Sequence, residues 1–150
     1  MMDNCTNLGY LLTLSAKLMK YHLMKQLDQE NFTVQQWAVI KDLERLEGLG
    51  GAENNFMAVS IANRLDMDKP TISGIIKRLL EKGYIEKYPH STDKRASILK
   101  LSAQTKEILP RLEELSDQTV SAAVVDFTEE EISQLTHLLF RMTKNLKEEE

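Results

Sequence analysis

The stretch from Phe56 to Leu101 limits the possible folds of this chain more than any other. It reads as short helix, tight turn, basic helix, strand, charged loop and strand. Met57–Leu65 form the short helix, Asp66–Asp68 the turn and Lys69–Lys82 the basic helix. After Gly83, Tyr84–Tyr88 and Ser97–Leu101 read as strands around a loop holding Asp93, Lys94 and Arg95. That order is what a helix-turn-helix with a β-wing requires, and it makes DNA the leading candidate partner.

The basic helix carries Ile72, Ile75, Ile76, Leu79 and Leu80 at i, i+3, i+4, i+7 and i+8, a stripe that faces a core. Its opposite face holds Pro70, Ser73, Gly74, Lys77 and Glu81, with Thr71 and Arg78 at the margin and Lys69 opening the helix. Small hydroxyls in the first turn, followed by cations one turn later, suit a helix that reads base edges and holds phosphates. Gly74 costs about 0.5–1 kcal/mol relative to alanine in a helix interior. Two readings account for it: a close backbone approach, with DNA the obvious candidate, or simple tolerance. The loop Pro89–Ala96, with His90 next to its turn, can slide along the backbone and place a guanidinium in a minor groove. Asp93 would repel phosphate if unpaired, so an ion pair that orients Arg95 is expected. Taken alone, the loop also fits a solvated polar hairpin.

A net charge of −4 argues against a nucleic-acid partner until its distribution is considered. Lys69–Lys100 carry eight basic and three acidic residues, a local +5, whereas the remainder of the chain is −9. A basic patch on an acidic protein is the expected electrostatic footprint. The 150 residues fit one domain, or one with a helical extension. No apolar run is long enough to span a bilayer and no leader pattern opens the chain, so a cytoplasmic protein is expected. A single cysteine, Cys5, excludes an internal disulfide framework.

The flanks read as helices, giving a mainly α fold with a small β-wing. The first helix runs from about Leu8 to Leu27, with Leu8, Leu11, Leu12, Leu18, Met19, Leu23 and Leu27 as a broad apolar face. The second opens on a capping box of Thr33 and Gln36, stapled by Phe32 and Trp37, and fades near Leu46 before Gly48–Gly51. Ser102 caps a long helix to about Val125, bearing Ile108, Leu109, Leu112 and Leu115, with a kink or irregular turn expected at Pro110. Thr128 and Glu131 form another capping box, stapled by Phe127 and Ile132. Ile132, Leu135, Leu139, Met142 and Leu146 then make an a/d seam too short to stand as a free coiled coil. Residues 1–31 and 103–150 are therefore expected to form a helical dimerisation region around a winged unit at 32–102. Leu8, Leu11, Leu112, Leu135, Leu139 and Met142 supply the seam of a homodimer. The competing arrangement is an intramolecular bundle against the chain's own winged unit.

The chain resembles the MarR family of bacterial winged-helix regulators. The resemblance lies in Phe32–Trp37, Asp68–Ser73, Lys77–Ile85, Asp93–Arg95 and Leu99–Ser102. It implies a dimer bound to a pseudo-palindromic operator and released by a small-molecule effector or by oxidation. It also implies that Arg95, from the Asp-x-Arg pattern at Asp93, enters the minor groove. The pattern departs from the family at Gly74, where Arg is frequent, and at Asp66, where Gly is usual; Asp tolerates the left-handed conformation. The resemblance also implies that those members which sense phenolic acids hold them between the dimer helices and the winged unit, where Tyr10, Tyr21, His22 and Trp37 could line a crevice here. Core packing is the better explanation for Trp37, given its staple position. Cys5 lies about one turn before the reactive cysteine position of the peroxide-sensing branch, and it reads either as a redox thiol or as incidental. His22, His90 and His137 are scattered, so no metal site and no cofactor are expected. No phosphate loop, nucleophile elbow or acid–base pair suggests an enzyme. The competing function is a winged-helix module that docks an acidic protein instead of binding DNA specifically.

Overall fold

The computed structural model describes residues 4–147, with side chains from residue 7 onward. The chain folds as α1 (Asn4–Asp28), α2 (Val34–Leu49), a 3-10 turn (Glu53–Phe56), α3 (Ala58–Leu65), α4 (Lys69–Glu81), β1 (Ile85–Pro89), β2 (Ser97–Leu101), α5 (Ala103–Ala123) and α6 (Glu129–Lys147). Cys5 lies in α1, but its side chain is outside the described residues.

Local chemistry sets most boundaries. At the start of α2 the Thr33 side chain accepts from the Gln36 backbone N–H at 3.0 Å, and the Gln36 side chain accepts from the Thr33 N–H at 3.1 Å. The helix does not fade at Leu46. It absorbs Gly48 and ends at Gly50, whose φ of 66° turns the chain left-handed. Asp66 does the same after α3 at φ 53°, where a glycine is usual, and the Met67 N–H then reaches the Ala62 carbonyl at 2.9 Å. Asp68 caps α4 by accepting from the Thr71 N–H at 2.7 Å. Pro70 falls in the first turn, where its missing N–H leaves nothing unpaired.

β1 begins one residue later than the sequence pattern suggests. Tyr84 is held by its N–H to the Leu79 carbonyl and closes the helix end, while Pro89 joins the ladder opposite Ser97. The strands pair antiparallel with Ile85 opposite Leu101. Only Ile85 is buried in β1, against Ile98, Leu99 and Leu101 in β2, so neither strand alternates strictly between buried and exposed residues. α5 continues through Pro110 without a break and stops at Ala123.

One core draws on α1 (Leu27), α2 (Val39, Ile40, Leu43), α3 (Ile61), α4 (Ile72, Ile75, Leu79), the wing strands and α5 (Leu109, Leu112, Leu115). Leu112 is 1% exposed within this core, so it is unavailable to a partner chain, contrary to the expectation. Much of α1's apolar face stays outside: Leu8, Leu11, Leu18 and Met19 are exposed. α6 buries no residue at all, with Leu135, Leu138, Leu139, Phe140 and Leu146 exposed and Ile132 and Met142 only half-buried. The chain does not fold this helix back onto its own winged unit. No helix among the described residues is long and apolar enough to cross a membrane.

Candidate nucleic-acid interface

α4 divides cleanly by burial. Ile72, Ile75, Ile76 and Leu79 face the core, while Lys69, Pro70, Ser73, Lys77 and Arg78 are exposed; Thr71 and Gly74 are half-buried. Nothing within 4 Å would meet a Cβ added at Gly74, so no contact inside the protein demands a glycine there. Hydrogen bonding from the Thr71 side chain and backbone N–H holds the Asp68 carboxyl below its ordinary range. That keeps the cap ionised at the positive end of the helix dipole.

The wing tip presents Asp93, Lys94 and Arg95 to solvent. The expected Asp93–Arg95 ion pair does not form. Asp93 instead accepts from the backbone N–H of Arg95 at 3.0 Å, which shapes the turn and leaves the guanidinium free. Among the described residues, Lys69, Lys77, Arg78, Lys94 and Arg95 enter no intramolecular ion pair. Five cations without an acidic partner are what a phosphate-binding face needs. Arg95 also borders a crevice it shares with Ile76 and Leu80 of α4, so wing and helix adjoin.

His90 was expected at the DNA face and is instead turned inward, its side chain only 9% exposed. Its ring lies between the wing and the 3-10 turn, with Nε2 at 2.8 Å from the Asn54 Oδ1. Asn54 and Glu53 have no sequence signal that marks them, because both act through contacts 36 to 38 residues distant.

A second network missed by sequence reasoning supports the helix-turn-helix from behind. Asp42 in α2, with its side chain 2% exposed, accepts two hydrogen bonds from Arg64 Nε and one from Arg64 Nη2 at 2.8–3.2 Å. Arg45 approaches the same carboxylate at 3.3 Å, and Arg64 Nη2 also donates to the Asn55 carbonyl. An acid placed among Val39, Ile40 and Leu43 was the available signal, because a buried carboxylate needs a cation.

The four residues considered for an effector crevice are not brought together. Tyr10 is exposed on α1, and Trp37 is 6% exposed in the core with Lys41 over its ring. His22 faces α5, its Nδ1 at 2.8 Å from Thr119 Oγ1. Tyr21 alone lines a sizeable crevice, of about 700 Å³, beside Lys17, Leu18, Met24, Phe32 and Val34. Among the described residues, no group of three His, Cys, Asp or Glu is placed to hold a metal ion.

Residues 32–97, from the α2 cap through the wing, match the model of the MarR family. Over these residues the chain carries the winged unit of the MarR family. This is a family of transcriptional regulators rather than enzymes. Among curated relatives, the HTH-type transcriptional regulator FarR of Neisseria gonorrhoeae is 29% identical over 119 residues, covering 79% of this chain and 76% of FarR. The uncharacterized HTH-type transcriptional regulator YybA of Bacillus subtilis is 29% identical over 87 residues, and the match spans 58% of each protein. A mutant MarR from E. coli, solved in complex with operator DNA, shares the fold with a TM-score of 0.75 and 20% identity, over 93% of this chain and 95% of that one. The mainly helical MarR fold with a two-stranded antiparallel wing is thus the fold of this chain.

Proposed function

We propose that this MarR-family regulator is a cytoplasmic, sequence-specific DNA-binding homodimer. It acts as a repressor, released from a pseudo-palindromic operator by a small ligand or by oxidation. The observation that carries the reading is α4, a helix with one face locked in the core. Its other face presents Thr71 and Ser73 ahead of Lys77 and Arg78, beside a wing tipped with unpaired Lys94 and Arg95. In this reading Thr71 and Ser73 meet base edges, Lys69, Lys77, Arg78 and Lys94 hold phosphates, and Arg95 enters the minor groove. The operator complex of the E. coli relative, built on the same fold, supports this assignment.

The homodimer reading rests on what a single chain leaves uncovered. Leu8 and Leu11 of α1, with Leu135, Leu139 and Met142 of α6, offer an apolar surface that a second copy can bury. Residues 1–31 and 103–150 then serve as the dimerisation region of the winged unit at 32–102. Two recognition helices related by a two-fold axis read half-sites about 34–36 Å apart, one turn of B-DNA. For release by a ligand, the crevice at Tyr21 suits a small amphipathic molecule, with Lys17, Lys20 and Asp28 flanking walls formed by Leu18, Met24 and Phe32.

The test is fluorescence anisotropy of the protein with duplex from its own upstream intergenic region, at two salt concentrations and against random duplex. Tight, salt-sensitive binding that survives the competitor is expected, with a slope of about −0.9 per phosphate contact. A folded dimer that binds no DNA at low salt would instead favour a protein-docking module.

A further inference from the structure

The loop of the wing is tied to the 3-10 turn, and a histidine ring forms the joint. Ser91 donates to Glu53 from both its hydroxyl, at 2.6 Å, and its backbone N–H, at 3.2 Å. The His90 ring lies beside this contact and is engaged on both edges. Its Nδ1 faces the backbone N–H groups of Thr92 at 3.2 Å and Asp93 at 3.1 Å. A backbone N–H can only donate, so Nδ1 must accept and carries no proton. The ring proton therefore sits on Nε2, which donates to Asn54 Oδ1 at 2.8 Å and lies 3.6 Å from Glu53 Oε2.

A short chain of hydrogen bonds leads from this ring to the tip. Asp93 gives its N–H to His90 and takes the N–H of Arg95 on its carboxylate. We propose that His90, as the neutral Nε2–H tautomer, is a positioning residue for DNA binding that holds the Asp93–Arg95 turn against the 3-10 turn and so aims Arg95. This rests on the DNA-binding reading above.

The same geometry makes the joint sensitive to protons. Protonation at Nδ1 would set a third N–H against those of Thr92 and Asp93, breaking both bonds. The Nε2 edge keeps its partners, since an imidazolium is still a donor to Asn54 and is attracted by Glu53. The charged groups around the ring are Glu53 on the 3-10 turn, Lys100 on β2 facing Glu53, and Asp93, Lys94 and Arg95 in the loop. Hydrogen bonds from Ser91 hold the Glu53 carboxyl below its ordinary range, so it remains ionised while a histidine titrates. Protonation thus leaves the wing attached at its base and releases the turn that carries Arg95.

The experiment combines two readouts on the intact protein. Without DNA, long-range ¹H–¹⁵N correlation of the imidazole should report the Nε2–H tautomer at pH 8, and the Thr92 and Asp93 amide signals should move as the pH is lowered to 5.5. With operator duplex, His90→Ala should weaken binding about tenfold, the scale of one misplaced contact. His90→Gln, which offers both a donor and an acceptor but no titration, should bind like the parent at pH 8. It should also lose less affinity than the parent between pH 8 and pH 5.5. If His90 acts through Arg95, the double variant His90→Ala/Arg95→Ala binds no worse than Arg95→Ala alone. An Nδ1–H tautomer, additive losses, or an unchanged pH profile in the glutamine variant would overturn the proposal. Absence of operator binding by the parent at pH 8 would refute the DNA-binding reading instead, leaving the tautomer measurement to judge the joint.

Discussion

Replacing Gly74 with alanine separates the needs of the protein from those of its DNA partner. Gly74 lies at the middle of α4, half-buried, and an added Cβ would find no heavy atom within 4 Å. The methyl therefore brings no clash, and the substitution removes the entropic cost of a helical glycine, about 0.5–1 kcal/mol. For a chain of this size that raises the melting temperature by roughly 2–4 °C per kcal/mol. The complex should respond in the opposite sense. Gly74 lies between Ser73 and Lys77 on the side of α4 that faces away from the core, where a groove-bound helix has least clearance. A methyl group forced against a base or phosphate there should cost roughly 1 kcal/mol or more, about a fivefold loss of operator affinity. Urea melts give the first quantity and anisotropy against operator duplex the second. Stabilisation with unchanged affinity would show that glycine is merely tolerated at this position. Destabilisation would refute the claim that the space around Gly74 is open.

Four further outcomes are expected. Asp42→Ala should lower stability by about 3 kcal/mol in urea titrations, because it leaves the Arg64 guanidinium without its carboxylate; a loss under 1 kcal/mol would mean that water replaces the pair. Leu139→Asp should leave a monomer by sedimentation velocity, and a persistent dimer would displace the proposed seam from α6. Lys77→Ala should weaken specific and random duplex alike and flatten the salt slope by about one unit, as losing one phosphate contact does; a loss confined to one base position would make Lys77 a base reader. Asp68 and Glu131, both held below the ordinary carboxylate range by the hydrogen bonds of the helix starts they serve, contribute stability above their unfolded values that is lost as pH falls through their folded values. Urea midpoints of Asp68→Asn/Glu131→Gln should accordingly fall less than those of the parent between pH 5 and pH 3; parallel curves would remove these two carboxyls from the acid transition.

What was legible in the sequence is what neighbouring residues decide among themselves. Thr33 and Gln36 make their capping box within one turn, Asp66 adopts a left-handed conformation because its own side chain allows it, and the α4 stripe follows from helical period alone. Long-range contacts were not legible. The sequence gives Leu112 an apolar face but not the identity of what that face meets, and the core of the winged unit takes it before any partner can. Charge complementarity suggested that Asp93 pairs with the Arg95 guanidinium, yet the backbone N–H two residues on is nearer and costs no side-chain ordering. His90 looked outward-facing because a polar loop normally is; its inward turn depends on Asn54 and Glu53, which only the folded chain brings near.

The long-range contacts also bear on how release from DNA would proceed. β2 ends at Leu101 and α5 begins at Ala103, so the single residue between the wing and the long helix is Ser102. That residue is fixed twice, by its N–H to the Tyr84 carbonyl and by its side chain capping the Thr105 N–H. Leu109, Leu112 and Leu115 then seat the middle of α5 in the winged core, while Thr119, further along, meets His22 of α1. Each step of this path is hydrogen-bonded or packed. A packed interior resists continuous deformation, so a displacement imposed on α1 or on the far end of α5 moves the winged unit as a body. For the proposed dimer, an effector near Tyr21 would therefore act by changing the distance and angle between two intact recognition helices. Their half-sites are fixed by the pitch of DNA, and a change of a few ångströms in that distance is enough to lose one of them.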